Sequence, residues 1–247
     1  MNINYPAVFA QDKKMPDHAI VQFFEDMGAE AYDRYNASFE ATKNNLQFLN
    51  MLILTDLPED ANILCVGIGT GADIIGLADI FPGWRFTGIE PAESMLKGCQ
   101  KKLAEAGFSD RCELIHGYLS DFNTDSKFDA VICLFVMHFI NDVTERNNMF
   151  SDFNKYLVND GYLINAEISF DLNSDESPGL LEKWQALHRY AGANEDNVRN
   201  IPGLLREQLA VLHPDETRQL MKKNGFHNPI QFFQSFLVRA WYAQKNR

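Results

Sequence analysis

The spacing of apolar residues in this chain changes along its length. Up to residue 60, they recur at three- and four-residue steps without alternation, which predicts a mostly helical N-terminal segment. From residue 61 to about 170, short apolar runs alternate with segments of helical spacing. Such regular alternation of strand and helix predicts a mostly parallel sheet covered by helices on both faces.

The central region is predicted to contain five strands and three helices. The strands span 61–67, 84–90, 112–118, 129–135 and 161–168, and the helices span 71–80, 92–106 and 142–157. Turns are expected at Pro82-Gly83 and Asp160-Gly161. Between residues 172 and 224 the strand pattern is lost, and helices broken at Pro178 and Pro202 are predicted.

Near the C-terminus, a helix ending at Asn224-Gly225 precedes two aromatic and β-branched stretches, which predict two closing strands. The fold class that follows is α/β: a Rossmann-like, doubly wound sheet of about seven mostly parallel strands, the last one antiparallel. We divide it into an N-terminal helical cap (1–60), a core (61–170), a helical insert or lid (171–226) and closing strands (227–247). Together these parts are expected to form one compact domain.

Composition narrows the choice of protein class. Of the 247 residues, 46% are hydrophobic and 23% are charged, as in a packed globular protein. The longest apolar run, 130–137, is too short to span a membrane, and the first residues lack a signal-peptide pattern. We therefore expect a cytoplasmic protein with no membrane partner.

Charge and cysteine usage exclude further classes. A net charge of −12 disfavours binding to nucleic acid, and the cluster Lys97, Lys101 and Lys102 is interpreted as a solvated helix face. Four cysteines occur, and none has the spacing of a CxxC pair or a zinc site. They are Cys65, Cys99, Cys112 and Cys133. We expect buried free thiols and no structural metal.

The first predicted core strand runs directly into Gly67, Gly69 and Gly71, and a helix follows. Glycines permit a tight turn and let a ligand approach backbone amides closely, and the helix N-terminus favours negative charge there. The stretch GIGTGA also satisfies a dinucleotide-binding pattern, so a nicotinamide-dependent oxidoreductase remains an alternative.

Glu90 ends the next predicted strand. A carboxylate at that place can accept hydrogen bonds from both ribose hydroxyls of a nucleotide. An isolated glutamate there could instead be a surface acid in a turn, but its combination with the glycine loop favours a nucleotide-like cofactor.

The residues after Glu90, PAESML, together with the loop and the acid, resemble the class I S-adenosylmethionine (SAM) dependent methyltransferases. The segments ELIHGYLSDF, FDAVICLFVMHFI and YLVNDGYLINAE match later blocks of that family in order and spacing. The resemblance is strong over residues 61–170 and moderate over 228–245. It implies SAM as cofactor, S-adenosylhomocysteine (SAH) as product and methyl transfer as the reaction.

By this resemblance, the cofactor-binding roles divide among the loops that follow the strands. The loop with Thr70 would lie under the methionine and the sugar, Glu90 would bind the ribose, and Met95 would pack on the adenine unless it is a core residue. Tyr118 and Leu119 would flank the adenine. Leu134 and Phe135 would line the methionine and sulfonium region.

The sequence departs from the family at two places. Cys65 replaces the acid that helps to anchor the SAM amino group in many relatives, and Tyr118 replaces the aspartate of a Gly-Asp pair beside the adenine. Asp121 compensates for the second change, or it is an ordinary loop residue. Asp73 takes over part of the ammonium binding, or it only complements the helix dipole.

The sequence defines the residues that would contact the methyl acceptor less clearly. His138 follows the fourth predicted core strand and is a candidate base, with a buried histidine bonded to backbone as the alternative. Cap and insert cover the substrate in this family. The residues expected to line that space, or else to belong to the core, are Tyr32, Tyr35, Trp184, His188 and Arg199. Such a lining favours a small, partly apolar acceptor.

The insert and tail also resemble, faintly, those of the bacterial carboxy-SAM synthase that serves tRNA wobble-uridine modification. That enzyme binds the extra carboxylate with an arginine, whereas Pro202 stands near that place here, with Arg199 and Arg206 on either side. We therefore favour SAM over carboxy-SAM, and the acidic charge disfavours tRNA as a partner. A non-catalytic SAM- or SAH-binding protein remains an alternative, and a monomer or a homodimer is expected.

Overall fold

The computed structural model describes residues 17–247, so the helical pattern predicted for residues 1–16 lies outside the described residues. Within this range, helices alternate with strands in the central part of the sequence. Further helices precede this part, and others follow it before the last two strands. The helices are α1 Asp17–Met27, α2 Ala29–Asn36, α3 Glu40–Ile53, α4 Ala72–Ile80, α5 Glu93–Ala106, α6 Val143–Tyr156, α7 Ser177–Tyr190, α8 Glu195–Gly203 and α9 Pro214–Lys223. The strands are β1 Asn62–Val66, β2 Arg85–Glu90, β3 Cys112–His116, β4 Phe128–Leu134, β5 Leu157–Ile168, β6 Phe226–Ser235 and β7 Val238–Lys245.

The strands form one sheet in the order β3-β2-β1-β4-β5-β7-β6. Strands β1 to β5 pair in parallel, and β7 is antiparallel to both β5 and β6. The predicted fold class is thus confirmed. The chain moves from β1 to β2 and β3 on one side and then crosses to β4 on the other. Open α/β sheets bind ligands at such a switch point, outside the carboxyl ends of the strands.

The sheet is buried on both faces, which explains its nearly continuous apolar strands. On one face, Ile63 and Cys65 of β1 pack with buried residues of α3, α4 and α5. On the other face, Leu64 and Val66 pack with Phe150 of α6 and with other buried residues. Both cores hold β1 rigidly, so the loop that follows it has a fixed position.

Two details of the predicted elements are wrong. Strand β5 begins at Leu157 rather than at 161, because Asp160 takes a left-handed backbone (φ 61°) inside a β-bulge instead of making a turn between elements. Pro202 does not break a helix but lies in the last turn of α8, where a π-helical turn at residues 204–208 follows. Pro178 starts α7, where a missing amide hydrogen costs nothing.

The N-terminal helices are attached to the core by polar contacts. The Glu25 carboxylate of α1 accepts hydrogen bonds from the backbone amides of Glu93 and Ser94, and so caps α5 from a distance. Asp33 of α2 accepts a hydrogen bond from the Thr70 hydroxyl at 2.7 Å and forms an ion pair with Lys102 at 2.5 Å. These contacts hold α1 and α2 over the carboxyl ends of the strands.

From residue 17 onward, no helix is both long and apolar enough to cross a membrane.

Candidate active site

A cavity of about 380 Å³ opens at the carboxyl ends of β1, β2, β3 and β4. The loops after these four strands form its floor, α1 and α2 cover it, and one face of α6 forms one wall. The cavity therefore lies where the reversal of strand order predicts a ligand site.

The glycine loop after β1 keeps its backbone close to its neighbours. Gly67, Gly69 and Gly71 all have left-handed φ angles, of 69°, 53° and 82°. The Gly67 amide donates to the carbonyl oxygen of Ile89 at 2.8 Å, which joins the loop to β2. A Cβ on Gly67 would lie 2.2 Å from Cγ2 of Val136, which leaves no room for a side chain.

Replacing Gly67 with alanine is expected to destabilise the fold by more than the left-handed backbone alone, which costs about 1–2 kcal/mol. The excess comes from the clash with Val136, whose branched side chain cannot turn away easily. Gly107 is a matched control, because its φ is 77° and a Cβ there meets nothing within 4 Å. Chemical denaturation of both variants measures the difference, and equal losses of stability would contradict the packing at Gly67.

Glu90 connects β2 to the glycine loop. One carboxylate oxygen, Oε2, accepts the Gly69 amide at 2.9 Å, and the other, Oε1, accepts the Ala92 amide at 2.9 Å. The side chain is only 6% exposed and borders the cavity. Burial raises the pKa of the Glu90 carboxyl, while the two amide donors oppose the shift. Two accepted bonds leave lone pairs free for a ligand.

Tyr32 of α2 covers the glycine loop and borders the cavity. A Cβ built on Gly69 would lie 3.8 Å from the Tyr32 hydroxyl oxygen. Burial raises the pKa of this phenol, as do the carboxylates of Asp73, Glu90 and Asp33. The hydroxyl is therefore protonated at neutral pH and can donate a hydrogen bond.

The other predicted cofactor residues lie on both sides of Glu90. Met95 and Leu119 are buried and Tyr118 is 41% exposed, and all three border the cavity. Leu134 and Phe135 border it beyond the glycine loop. Phe135 has a left-handed backbone (φ 62°) and donates its amide to Ala166 at 2.7 Å. Strain of this kind is concentrated at functional sites.

Several residues of the glycine-loop region do not line the main cavity, among them Gly71, which was expected at the cofactor and packs against Cys99. The Thr70 hydroxyl, expected at the cofactor, is turned toward α2 and α5 and also accepts a hydrogen bond from Lys102 at 3.0 Å. Cys65 and Asp73 line a small adjacent void under the loop. Burial raises the pKa of the Cys65 thiol far above its usual value, so the thiol is neutral.

The structure places His138 away from the cavity. It is 3% exposed, its Nδ1 accepts the Ile168 amide at 3.3 Å, and it does not border the cavity. Burial lowers the pKa of His138 to about 3, helped by the nearby Arg146 guanidinium. We therefore do not retain His138 as a candidate base, and the alternative of a buried histidine bonded to backbone describes its position.

Two buried histidines make the free energy of unfolding depend on pH. Burial lowers the pKa of His188 to about 4, and that of His138 to about 3, whereas both titrate near 6.5 when unfolded. The unfolded chain therefore binds more protons below pH 6.5. The free energy of unfolding is expected to fall by up to about 1.4 kcal/mol per pH unit for each histidine between pH 6 and 5.

Urea unfolding of the wild-type protein and of His138→Gln at several pH values tests this expectation. The variant should lose part of the slope of stability against pH in this range. An unchanged slope would contradict the burial of a neutral His138.

The residues expected to line the acceptor space separate into two groups. Tyr32 borders the cavity, whereas Tyr35, Trp184 and His188 form an aromatic cluster that joins α2 to α7. In this cluster the Tyr35 hydroxyl is hydrogen-bonded to Nδ1 of His188, and the Trp184 and His188 rings are 5.1 Å apart. Arg199 is exposed and paired with Asp196 at 2.6 Å. These last four residues do not border the cavity, and the alternative of a core residue describes Trp184.

Sequence reasoning missed several residues that border the cavity. Ile20 and Val21 of α1 cover it, Val136 and Phe139 follow β4, and a polar face of α6 forms one wall. The polar members of that face are Glu145, Asn148 and Asp152, and Met149 lies among them. Their three- and four-residue spacing was visible, but polar residues on a helix are normally read as solvent-facing.

Side chains that bind metals do not assemble in residues 17–247: no group of three or more His, Cys, Asp or Glu residues is placed to hold an ion.

Comparisons with known proteins agree with this geometry. Residues 63–161, from β1 into β5, match a family model described as a methyltransferase domain. The carboxy-S-adenosyl-L-methionine synthase of Campylobacter hominis is 24% identical over 217 residues, which cover 85% of both proteins.

Solved structures share the fold. The magnesium protoporphyrin IX methyltransferase of Synechocystis with bound SAH is similar with a TM-score of 0.63 at 18% identity, covering 94% of this chain and 100% of that one. An O-methyltransferase family 2 protein of Planctomyces limnophilus has a TM-score of 0.58 at 15% identity, covering 94% of this chain and 62% of that one. The chain spans little more than half the length of two further solved structures that share the fold, 58% of the S-adenosylmethionine-dependent methyltransferase SibL and 55% of the pyocyanin biosynthetic protein PhzM.

Proposed function

This chain belongs to the class I SAM-dependent methyltransferases, whose cofactor is SAM, and from that premise we propose that it methylates a small-molecule acceptor. The observation that carries the proposal is the position of Glu90. Its buried carboxylate is fixed by the Gly69 and Ala92 amides and borders the cavity between the glycine loop and the loop after β3.

The order of the strands supports a SAM-shaped site. Along the sheet edge, Tyr118 follows β3, Glu90 ends β2, Gly67 follows β1 and Leu134 ends β4. Neighbouring strands lie about 4.8 Å apart, so these four positions extend over about 14 Å. An extended nucleoside that carries an amino acid fits this row, with its base beside Tyr118, its ribose at Glu90 and its amino acid beside Gly67 and Leu134.

The residues at each position have the chemistry that this arrangement requires. A fixed carboxylate at Glu90 accepts hydrogen bonds from ribose hydroxyls, and the side chains of Met95 and Leu119 offer apolar contact to a base. The Tyr118 ring, at the rim of the cavity, supplies an aromatic face. Asp121 stands in the same loop but does not border the cavity, whereas Ser120 does.

When bound, SAM supplies a methyl group on a positively charged sulfur, which leaves as a neutral thioether. The protein has to exclude water and align the acceptor. Phe24, Tyr32, Phe135 and Phe139 give the cavity an apolar wall, in which Tyr32 supplies a phenol. This wall suits a small, partly apolar acceptor whose nucleophilic atom needs no strong base.

Carboxy-SAM synthase activity is a second candidate, because the similarity to that enzyme extends over most of both chains. Against it, no arginine or lysine borders the cavity among the described residues. Arg199 pairs with Asp196, and Arg206 donates to the Leu172 carbonyl oxygen at 2.6 Å. A carboxylate on the transferred carbon would therefore meet no cation in this cavity, so we favour methyl transfer.

Incubation with trideuteromethyl-SAM and a fractionated metabolite extract, followed by mass spectrometry, tests the proposal. The expected result is SAH formation together with one small molecule that carries the trideuteromethyl label. A new species with the mass of carboxy-SAM would favour the second candidate. SAH binding without any labelled product would favour a non-catalytic role and contradict the proposed activity.

A further inference from the structure

The two helices that cover the cavity are attached to the core in different ways. Helix α1 buries Ile20 and Phe23, and its Glu25 carboxylate accepts the backbone amides at the start of α5. Helix α2, in contrast, has no buried residue. Apolar burial is the dominant stabilising term in packing, so α1 is the firmly attached helix and α2 the loosely attached one.

A single residue, Gly28, joins α1 to α2. Its φ angle is 69°, and a Cβ built on it would meet nothing within 4 Å. A glycine with free space around it can change its backbone angles at little steric cost. The 3₁₀ turn that follows α2, at residues 37–39, also contains no buried residue. Movement of α2 therefore disturbs little of the core.

Three side chains connect α2 to the glycine loop and to α5. The Asp33 carboxylate pairs with the Lys102 ammonium at 2.5 Å and accepts the Thr70 hydroxyl at 2.7 Å. Lys102 also donates to the Thr70 hydroxyl oxygen at 3.0 Å. Lys102 thus departs from the solvated helix face expected for its lysine cluster, and its side chain is 33% exposed. Because Thr70 belongs to the glycine loop, the network ties α2 to the floor of the cavity.

The network acts beside the cavity and not in it. Asp33, Thr70 and Lys102 do not border the cavity, whereas Tyr32, the neighbour of Asp33, borders it and covers Gly69. The network therefore fixes the position of Tyr32 without contacting a ligand. Partly exposed ion pairs are weak and are screened by salt, so this network can open and close reversibly.

We propose that Asp33, Lys102 and Thr70 form a latch that controls exchange of the cofactor. While the three side chains are joined, α2 covers the glycine loop, and SAM enters or SAH leaves when they separate. This inference rests on the proposed function, because it needs SAM or SAH in the main cavity. It makes the rate of product release depend on an ion pair that does not touch the product.

Surface plasmon resonance, with the full chain immobilised and SAH as the analyte, tests the latch. Asp33→Asn and Lys102→Met each remove the ion pair. Both the association and the dissociation rate constants of SAH are expected to rise about three- to tenfold, because a cover restricts entry and exit alike. The dissociation constant should change less than either rate constant.

Matched controls are Glu30→Gln on α2 and Lys101→Met on α5, both at exposed positions, and they should keep the wild-type rate constants. Hydrogen exchange gives a second measurement: in Lys102→Met the amides of α2 should exchange faster, and those of α1 should not.

Exchanging the two charges tests whether the ion pair itself is responsible. A threonine hydroxyl both donates and accepts, so Asp33→Lys combined with Lys102→Asp can rebuild the network. This double variant should return toward the wild-type rate constants, whereas Asp33→Lys alone should exchange SAH rapidly. If circular dichroism shows that the double variant is unfolded, Lys102→Arg, which keeps the charge, should retain the wild-type rate constants.

Wild-type rate constants in both Asp33→Asn and Lys102→Met would overturn the latch. Faster dissociation with unchanged association would also overturn it, because that result indicates a damaged site and not an opened cover. A wild-type protein that binds no SAH at millimolar concentration would instead overturn the proposed function, so the two failures are distinguishable.

Discussion

Replacing Glu90 with alanine is expected to lower the affinity for SAH by about a hundredfold or more. The change removes the acceptor of the Gly69 and Ala92 amides, and each charge-assisted hydrogen bond is worth about 1.5–3 kcal/mol. It also removes the proposed acceptor for the ribose hydroxyls. Calorimetric titration with SAH measures the loss.

Two further variants identify the cause of the lost SAH affinity. Glu90→Gln keeps the shape, but its amide nitrogen faces one of the two backbone donors, so a large loss of SAH affinity is expected there too. Glu93→Gln is the control, because Glu93 is exposed and its carboxylate pairs with Lys97 on the surface of α5. If Glu90→Ala bound SAH as tightly as Glu93→Gln, the ribose-binding role of Glu90 would be refuted.

Replacing Glu167 with alanine is expected to reduce the free energy of unfolding by about 3–5 kcal/mol, because it leaves the Arg146 guanidinium buried without its counter-charge. Both side chains are almost fully buried, and they form an ion pair between α6 and β5. Glu167 also accepts the Thr217 hydroxyl of α9 at 2.8 Å, and Arg146 donates to the Met137 carbonyl oxygen at 2.5 Å. The pair thus fixes the turn after β4 that supports the cavity wall.

The double variant Arg146→Met and Glu167→Met tests whether charge imbalance causes the loss. Replacing both partners of a buried ion pair by apolar residues is often neutral or stabilising. The double variant should therefore be more stable than Glu167→Ala in urea unfolding. A double variant at least as unstable as Glu167→Ala would show that the packing, and not the unpaired charge, dominates.

Much of the fold was predictable because the core strands are buried on both faces. The run from Ile63 to Val66 is wholly apolar in the sequence and wholly buried in the structure. The errors occurred where local backbone conformation decided the outcome. Asp160 adopts a left-handed conformation in a bulge, and Pro202 lies in the last turn of α8 without breaking it. The residue type alone does not indicate whether an aspartate makes a turn or a bulge, or whether a proline breaks a helix or lies in its last turn, because tertiary packing decides between them.

The cofactor side of the site was more predictable than the acceptor side. The cofactor-binding positions of Gly67 and Glu90 could be predicted from the ends of the strands and the spacing of the glycines, because both are local features of the sequence. His138 was a candidate because of its chemistry and its position after a strand, and Arg199 because of its chemistry and its position near Pro202. Whether each side chain faces the cavity depends on contacts with distant segments. The Ile168 amide holds His138, and Asp196 holds Arg199, so both point elsewhere.

The cavity at the switch point is expected to bind SAM and not a nicotinamide dinucleotide. Calorimetric titration of the full chain with SAH and, separately, with NADH distinguishes the two cofactors. We expect saturable one-to-one binding of SAH and no heat of binding with NADH. Binding of NADH, or no binding of SAH at millimolar concentration, would contradict this expectation.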